Sequence, residues 1–119
     1  MKDQVMKQVA MTTAYIGSRR STETPELYER VSTNEYDDIL LERYYHTALD
    51  EAKPWLRWHP SAATLIDFLT ERVVWRWLLS VWPEEAPLHE QRSEELLLQL
   101  KQQANLRRTR KCRRKMNPF

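Results

Sequence analysis

The stretch from Thr64 to Trp82 constrains the fold more than any other part of the chain. Twelve of its nineteen residues are large and apolar, and a helical period of 3.6 residues distributes them over two faces. One face carries Ile66, Val73, Val74, Trp77 and Val81, and the other carries Phe68, Trp75, Leu79 and Trp82. A helix with two apolar faces needs two covering surfaces, and a chain of 119 residues has few other helices. We therefore expect one face to close the core and the other to meet a second copy.

The chain contains a single glycine among its 119 residues. Glycine provides the positive-φ corners of hairpins and phosphate-binding loops, so its scarcity disfavours a β-rich fold and a glycine-rich nucleotide site. A hydrophobic content of 41% and a charged content of 30% are typical of a folded domain. We predict one all-α domain, a small antiparallel bundle of three main helices.

The predicted bundle lies between two segments of different character. Residues 1–31 form an irregular N-terminal arm, whose weak apolar pattern fits either one or two helical turns or an edge strand. Residues 32–106 form the helical bundle. Residues 107–119 form an extended basic C-terminal tail, because a dense block of like charges repels itself.

Capping and proline signals divide the bundle into its three helices. Ser32–Glu35 is a capping box, and the helix that it starts runs to about Lys53, where Pro54 ends it. A rigid corner with two tryptophans leads to the central helix at Thr64–Trp82. A proline turn then starts the last helix near Pro87, and this short connection predicts antiparallel packing against the central helix.

The charge of the chain is distributed unevenly. Residues 107–115 hold seven of the nineteen basic residues and no acid, which leaves twelve basic against seventeen acidic residues, a net charge of −5, in residues 1–106. Such a segment either binds a polyanion or an acidic protein surface, or is a solvated end that keeps the protein soluble. We expect it to contact a partner protein or DNA. The residues predicted to do so are Arg107, Arg108, Arg110, Lys111, Arg113, Arg114, Lys115 and Phe119.

Five tryptophans give the chain a large aromatic surface. Tryptophan is common in cores, protein interfaces and base-stacking surfaces, and core packing is expected for at least two of the five. Trp75 and Trp77 are two residues apart and face different ways on one helix, which favours an interface for one of them. The predicted subunit-interface residues are Trp55, Trp58, Trp75, Trp77 and Trp82.

The sequence gives almost no support to an enzyme, a metal site or a cofactor site. His46, His59 and His89 have no metal-ligand spacing with one another or with Cys112. Acidic pairs on the predicted helices lie among basic residues, which favours a solvated face over acid–base chemistry. No nucleotide loop or nucleophile motif occurs. We expect no catalytic residue, no metal and no cofactor.

The number of cysteines and the placement of charged residues indicate the cellular compartment of the protein. A single cysteine fits a reducing cytoplasm, and no apolar run follows the first lysines as it would in a secretory signal. The four charges within Thr64–Trp82 disfavour a membrane span. We expect a protein made in the cytoplasm, with no membrane partner.

The order of these elements resembles the small head-to-tail connector (adaptor) proteins of tailed bacteriophages. The resemblance is carried by Asn34–Leu41, Tyr45–Ala52 with Pro54 and Trp55, Val73–Trp82 and Ser93–Arg110. It implies a non-enzymatic ring, usually dodecameric, that docks beneath the portal at the neck of the virion. The ring extends the DNA channel without reading sequence and receives tail or nozzle proteins. In such proteins the C-terminal segment commonly reaches into the portal.

Two other classes of function fit the basic tail. A small nucleic-acid-binding regulator would use the tail to contact phosphates, with an affinity that falls steeply with salt. An adaptor for a host protein would use it without forming a ring. Oligomeric state and salt-sensitive binding to free DNA distinguish these classes from a connector.

Overall fold

Four α-helices make up the part of the chain that the computed structural model describes, which is residues 1–23 and 38–116. They are α1 (Lys2–Glu23), α2 (Asp38–Leu56), α3 (Ala62–Val81) and α4 (Ala86–Met116), with a 3₁₀ turn at Pro83–Glu85 before α4. No strand occurs among the described residues, so the all-α prediction is confirmed. The capping box predicted at Ser32–Glu35 lies outside them.

The central element is α3, and the three other helices all pack against it. Both of its apolar faces are covered within the chain. On the first face Trp77 is 1% exposed, and on the second Phe68 is fully buried and Trp82 is 2% exposed. Most of the second face is thus covered by the chain itself, and its expected contact with another copy stays a prediction. Of that face, Leu79 remains 47% exposed and Trp75 is partly buried.

The first segment of the chain, predicted to be irregular, is a helix of 22 residues. Its buried side is a narrow stripe at helical spacing that consists of Val5, Val9, Thr13, Ile16 and Gly17. The Thr13 hydroxyl donates to the Val9 carbonyl oxygen at 2.9 Å, so the polar side chain in this stripe is satisfied where it is buried. Because α3 has two apolar faces, it needs a second covering surface. α1 of the same chain provides this surface.

The direction of α1 follows that of α3. The Thr70 hydroxyl of α3 donates to the Gln8 side-chain oxygen of α1 at 3.1 Å. Further along both segments, the Arg20 guanidinium lies 5.4 Å from the centroid of the Trp82 ring. Because residue numbers rise together along the contact, the two helices run parallel.

The direction of α4 is opposite to that of α3. Near the start of α4, His89 Nδ1 lies 2.6 Å from Glu71 Oε2, and near its end the Gln103 amide donates to Thr64 Oγ1 at 3.2 Å. Gln103 also accepts the Ser61 backbone N–H at 2.8 Å. Ser61 is the N-cap of α3, with its hydroxyl accepting the Thr64 N–H at 3.5 Å, so α4 fixes the start of the central helix.

The corner between α2 and α3 differs from its prediction in one respect. α2 continues through Pro54 to Leu56 instead of stopping near Lys53. A proline so close to the helix end removes only one backbone donor from the last turn, which the packed helix tolerates. His59 then ends the helical path with a φ of 50°, and its N–H donates to the Leu56 carbonyl oxygen at 3.0 Å.

The basic C-terminal segment is helical through Met116, so the prediction of an extended tail is wrong for residues 107–116. Arginine and lysine are good helix formers, and the helix dipole favours cations at a C-terminal end. The 31 residues of α4 give a helix about 46 Å long, in a molecule with extents of 69 × 24 × 17 Å. The basic segment is therefore the direct continuation of a core helix.

Candidate functional site: the basic end of α4

Residues 107–116 of α4, which we call the basic end, contain seven basic residues and no acid. Arg107, Arg108 and Arg110 are exposed. None of these three arginines forms an ion pair with a residue of the described ranges. Since their charge is not neutralised there, it remains available to an anionic partner.

The basic end leaves the body of the molecule beside Trp55 and Trp58, which together we call the tryptophan corner. The Arg107 guanidinium donates to the Trp58 carbonyl oxygen at 3.0 Å. Earlier in α4, Lys101 Nζ lies 5.5 Å from the centroid of the Trp55 ring, at cation–π distance. The position and direction of the basic end are therefore set by contacts to the corner between α2 and α3.

The remaining three tryptophans lie elsewhere. Trp77 and Trp82 form an edge-to-face pair in the core, with ring centroids 5.6 Å apart and an interplanar angle of 82°. The guanidinium groups of Arg72 and Arg76 both lie near Trp75, at 5.0 and 5.1 Å from its ring centroid. A subunit-interface role for the five tryptophans stays a prediction, but burial assigns Trp77 and Trp82 to the core of this chain.

A buried arginine joins three helices in an arrangement that the sequence did not predict. The Arg72 side chain, 6% exposed, donates from Nε to Glu51 of α2 at 3.1 Å. Its two terminal nitrogens donate to Ser93 Oγ and to Glu94 of α4, both at 2.9 Å. Arg76 donates to the other Glu51 oxygen at 3.1 Å. In the sequence, this arrangement is indicated only by the presence of arginine within an apolar helix. We call Arg72, Arg76, Glu51, Ser93 and Glu94 together the Arg72 network.

A second cluster of paired arginines holds the C-terminal end of α1. Arg19 pairs with Glu85, and Arg20 pairs with both Glu84 and Glu85 of the 3₁₀ turn, its Nε lying 3.1 Å from Glu85 Oε2. The Arg20 side chain is 12% exposed and lies over the Trp82 ring. Residues of the predicted irregular N-terminal arm thus connect α1 to the turn before α4.

Histidine and acidic side chains of the described residues meet in pairs. In residues 1–23 and 38–110, no group of three or more histidine, cysteine, aspartate or glutamate side chains is placed to hold a metal ion. His89 and Glu71 form a two-residue pair between α4 and α3. None of the helices in these ranges is long and apolar enough to cross a membrane.

Comparisons with protein-family models, with curated protein sequences and with solved structures give no match. The resemblance to phage connectors therefore rests on the sequence pattern alone. The basic end is interpreted from its own geometry and charge. Exposed guanidinium groups pair well with carboxylates and phosphates, which makes the basic end the candidate binding element of the described residues.

Proposed function

We propose that this protein is a structural connector (adaptor) subunit of a tailed bacteriophage, which forms a ring beneath the portal and attaches through the basic end of α4. In this role it is not an enzyme. Its partners are further copies of itself, the portal, tail or nozzle proteins, and DNA that passes through the channel without being read. Its site of action is the neck of the virion.

The observation that carries this proposal is the placement of the basic end. It is continuous with a core helix and is held at its base by Arg107, while its exposed arginines have no acid from the described residues beside them. A rigid cationic helix loses less conformational freedom on docking than a flexible tail would. That property suits permanent attachment to a large assembly.

The unequal charge of the chain supports the same function. The first 106 residues carry a net charge of −5, while the basic residues of the C-terminal segment carry +7. Opposite charges on different surfaces of one subunit favour contacts between unlike patches, and such contacts generate rings when the rotation between neighbours closes. The resemblance supplies the expectation that the ring lies at the head–tail junction.

The proposal is tested by locating the protein in phage particles. Particles purified from a producing host and labelled with an antibody to this chain should carry the label at the neck in electron micrographs. Removing residues 107–119 should abolish incorporation while the thermal unfolding of the remaining helices persists. Label that is absent from particles, or incorporation that survives the deletion, would overturn the attachment through the basic end.

Binding to free DNA separates this function from the nucleic-acid-binding alternative. A regulator would bind short duplex DNA as a monomer, with an affinity that falls with a steep dependence on salt concentration. A connector binds the same DNA weakly and is recovered with particles. Tight, salt-sensitive binding together with absence from particles would favour the regulator.

A further inference from the structure

An open groove is lined by residues of α1, α3 and α4. Its volume is about 500 Å³. Met11 of α1, 65% exposed, and the partly buried Leu96 of α4 give it an apolar lining. We call it the α1–α4 groove. A groove with accessible apolar side chains offers area that an inserted segment can bury.

Charged residues surround this lining and are mainly acidic. Asp67, Glu71 and Glu95 contribute three carboxylates, against the single guanidinium of Arg92. Glu71 is held by His89 at 2.6 Å, whereas Asp67 and Glu95 are exposed. An occupant of this groove therefore needs cationic groups for the carboxylates and an apolar group for the lining.

The C-terminal segment of the same sequence has that chemistry. Seven basic residues at positions 107–115 are followed by Met116 and Phe119. The charge of the segment is opposite to that of the groove, and guanidinium groups pair well with carboxylates. This combination of charge and apolar residues occurs at no other place in the sequence.

The segment cannot reach the groove of its own chain. Gln99 marks the end of the groove along α4, and Met116 lies 17 residues further along the same helix, about 26 Å away. The helix that carries the basic residues therefore forms one wall of the groove and then continues away from it. The groove and the basic end of one molecule are therefore separate, and a contact between them requires two molecules.

We propose that the basic end of one copy binds in the α1–α4 groove of the next copy. The contact joins two different surfaces, so it repeats head to tail and closes into a ring or continues as a filament. The inference rests on the proposed function, since it names the surface through which connector subunits assemble. It assigns to the basic end a contact with a neighbouring copy within the ring, beside its attachment to the portal.

A charge exchange tests this contact in purified protein treated with nuclease. The groove variant carries Asp67→Lys and Glu95→Lys, and the basic-end variant carries Arg108→Glu and Arg110→Glu. Sedimentation velocity at low salt should show wild-type protein associating as concentration rises, and each variant alone associating at least tenfold more weakly. An equal mixture of the two should associate into pairs, because the unchanged basic end of the groove variant can bind in the unchanged groove of the basic-end variant.

The matched control carries Asp50→Lys and Glu90→Lys, which change the charge as much as the groove variant but lie outside the groove. It should associate like wild type. Circular dichroism should show the same helical signal for every variant. The contact is overturned if wild-type protein stays monomeric, if the control is weakened equally, or if the mixture fails to associate. Association that nuclease treatment removes assigns the basic end to nucleic acid instead.

The outcome is independent of the particle experiment. If the mixture associates but virions carry no label, the groove contact is supported and the connector function is contradicted. If the label lies at the neck but the purified protein does not associate, the connector function is supported and the groove contact is contradicted.

Discussion

Two regions of this molecule contain the dipeptide Arg-Arg, and they use it in opposite ways. At positions 19–20 both arginines pair with Glu84 and Glu85, and Arg20 is nearly buried. At positions 107–108 both arginines are exposed, and neither has an acid beside it among the described residues. The same residues are thus part of the fold at one end of the chain and available to a partner at the other.

The difference follows from the cost of desolvation. A buried guanidinium that is not paired would cost several kcal/mol, so arginines near the core acquire acidic partners. An exposed guanidinium stays hydrated and keeps most of its charge for interaction with other molecules. Arg72 belongs with the first group, since it is almost fully buried and has acidic partners on two helices. The contrast predicts how the stability of the protein responds to the loss of each arginine.

The largest effect is expected for Arg72→Met. The substitution leaves Ser93 and Glu51 without their buried donor, and it should lower the free energy of unfolding by about 3 kcal/mol. Arg76→Met is the matched control on the same helix. It removes a single contact to Glu51, at a more exposed position, and should lower the free energy of unfolding by about 1 kcal/mol. Urea denaturation followed by circular dichroism measures both. Equal losses would mean that burial of the guanidinium does not determine its contribution.

The next effect is expected for Arg20→Met, with a loss of about 1 kcal/mol. The charge is removed from between Glu84, Glu85 and the Trp82 ring, and α1 is then held at that end by its apolar stripe and by the pair of Arg19 with Glu85. A double-mutant cycle with Glu85→Gln in thermal unfolding should give a coupling of about 0.5 kcal/mol. A coupling of zero would show that the pair forms no part of the attachment of α1.

The fold could be predicted from the sequence where the apolar pattern is strong. α3 has a long periodic pattern, and its bounds are within two residues of those predicted. α4 starts close to its predicted start but continues ten residues beyond the predicted end of the bundle. α1 was missed because its buried stripe is narrow and includes Thr13, while Met11 and Tyr15 are exposed on its other side. With apolar residues on both sides, the contrast that indicates an amphipathic helix is lost.

The candidate site was predictable in composition but not in geometry. The basic residues of positions 107–115 follow directly from the sequence, yet charge density suggested an extended chain where the propensity of arginine and lysine gives a helix. The hydrogen bond from Arg107 to Trp58 joins residues 49 positions apart. No local pattern indicates such a contact, because it depends on how α4 packs against α3.

Arg107 lies at the boundary between the two kinds of arginine and is expected to show a smaller effect. It is exposed, as the basic end is, but it donates to the Trp58 carbonyl oxygen, as a structural arginine does. Arg107→Met should therefore lower the free energy of unfolding by about 0.5 kcal/mol, while Arg108→Met leaves it unchanged within the error of the measurement. Urea denaturation of the two variants side by side tests this. A larger loss for Arg108→Met would place the whole basic end among the structural arginines.

The smallest effect is expected where Lys2 of α1 pairs with Glu42 of α2 at the surface. The hydrogen bond to Lys2 holds the pKa of Glu42 below its ordinary value of 4.5, and the same bond raises the pKa of Lys2 above 10.5. A carboxylate whose pKa is lower in the folded than in the unfolded protein stabilises the fold at pH values above its unfolded-state pKa. This contribution is lost as the pH falls through the folded-state pKa. The lysine contribution is present below pH 10.5 and is lost as the pH rises through its raised pKa.

Thermal unfolding of wild type and Glu42→Gln at low salt measures this contribution. The difference in midpoint between the two proteins should be present at neutral pH, shrink below about pH 4.5 and disappear in strong acid, because the protonated carboxyl no longer attracts Lys2. High salt should reduce it as well, since both groups are exposed. The matched control, Glu90→Gln, removes an exposed carboxylate that forms no ion pair with another described residue, and its midpoint at neutral pH should equal that of wild type. A difference for Glu42→Gln that persists in acid would mean that packing of its side chain, and not its charge, joins α1 to α2.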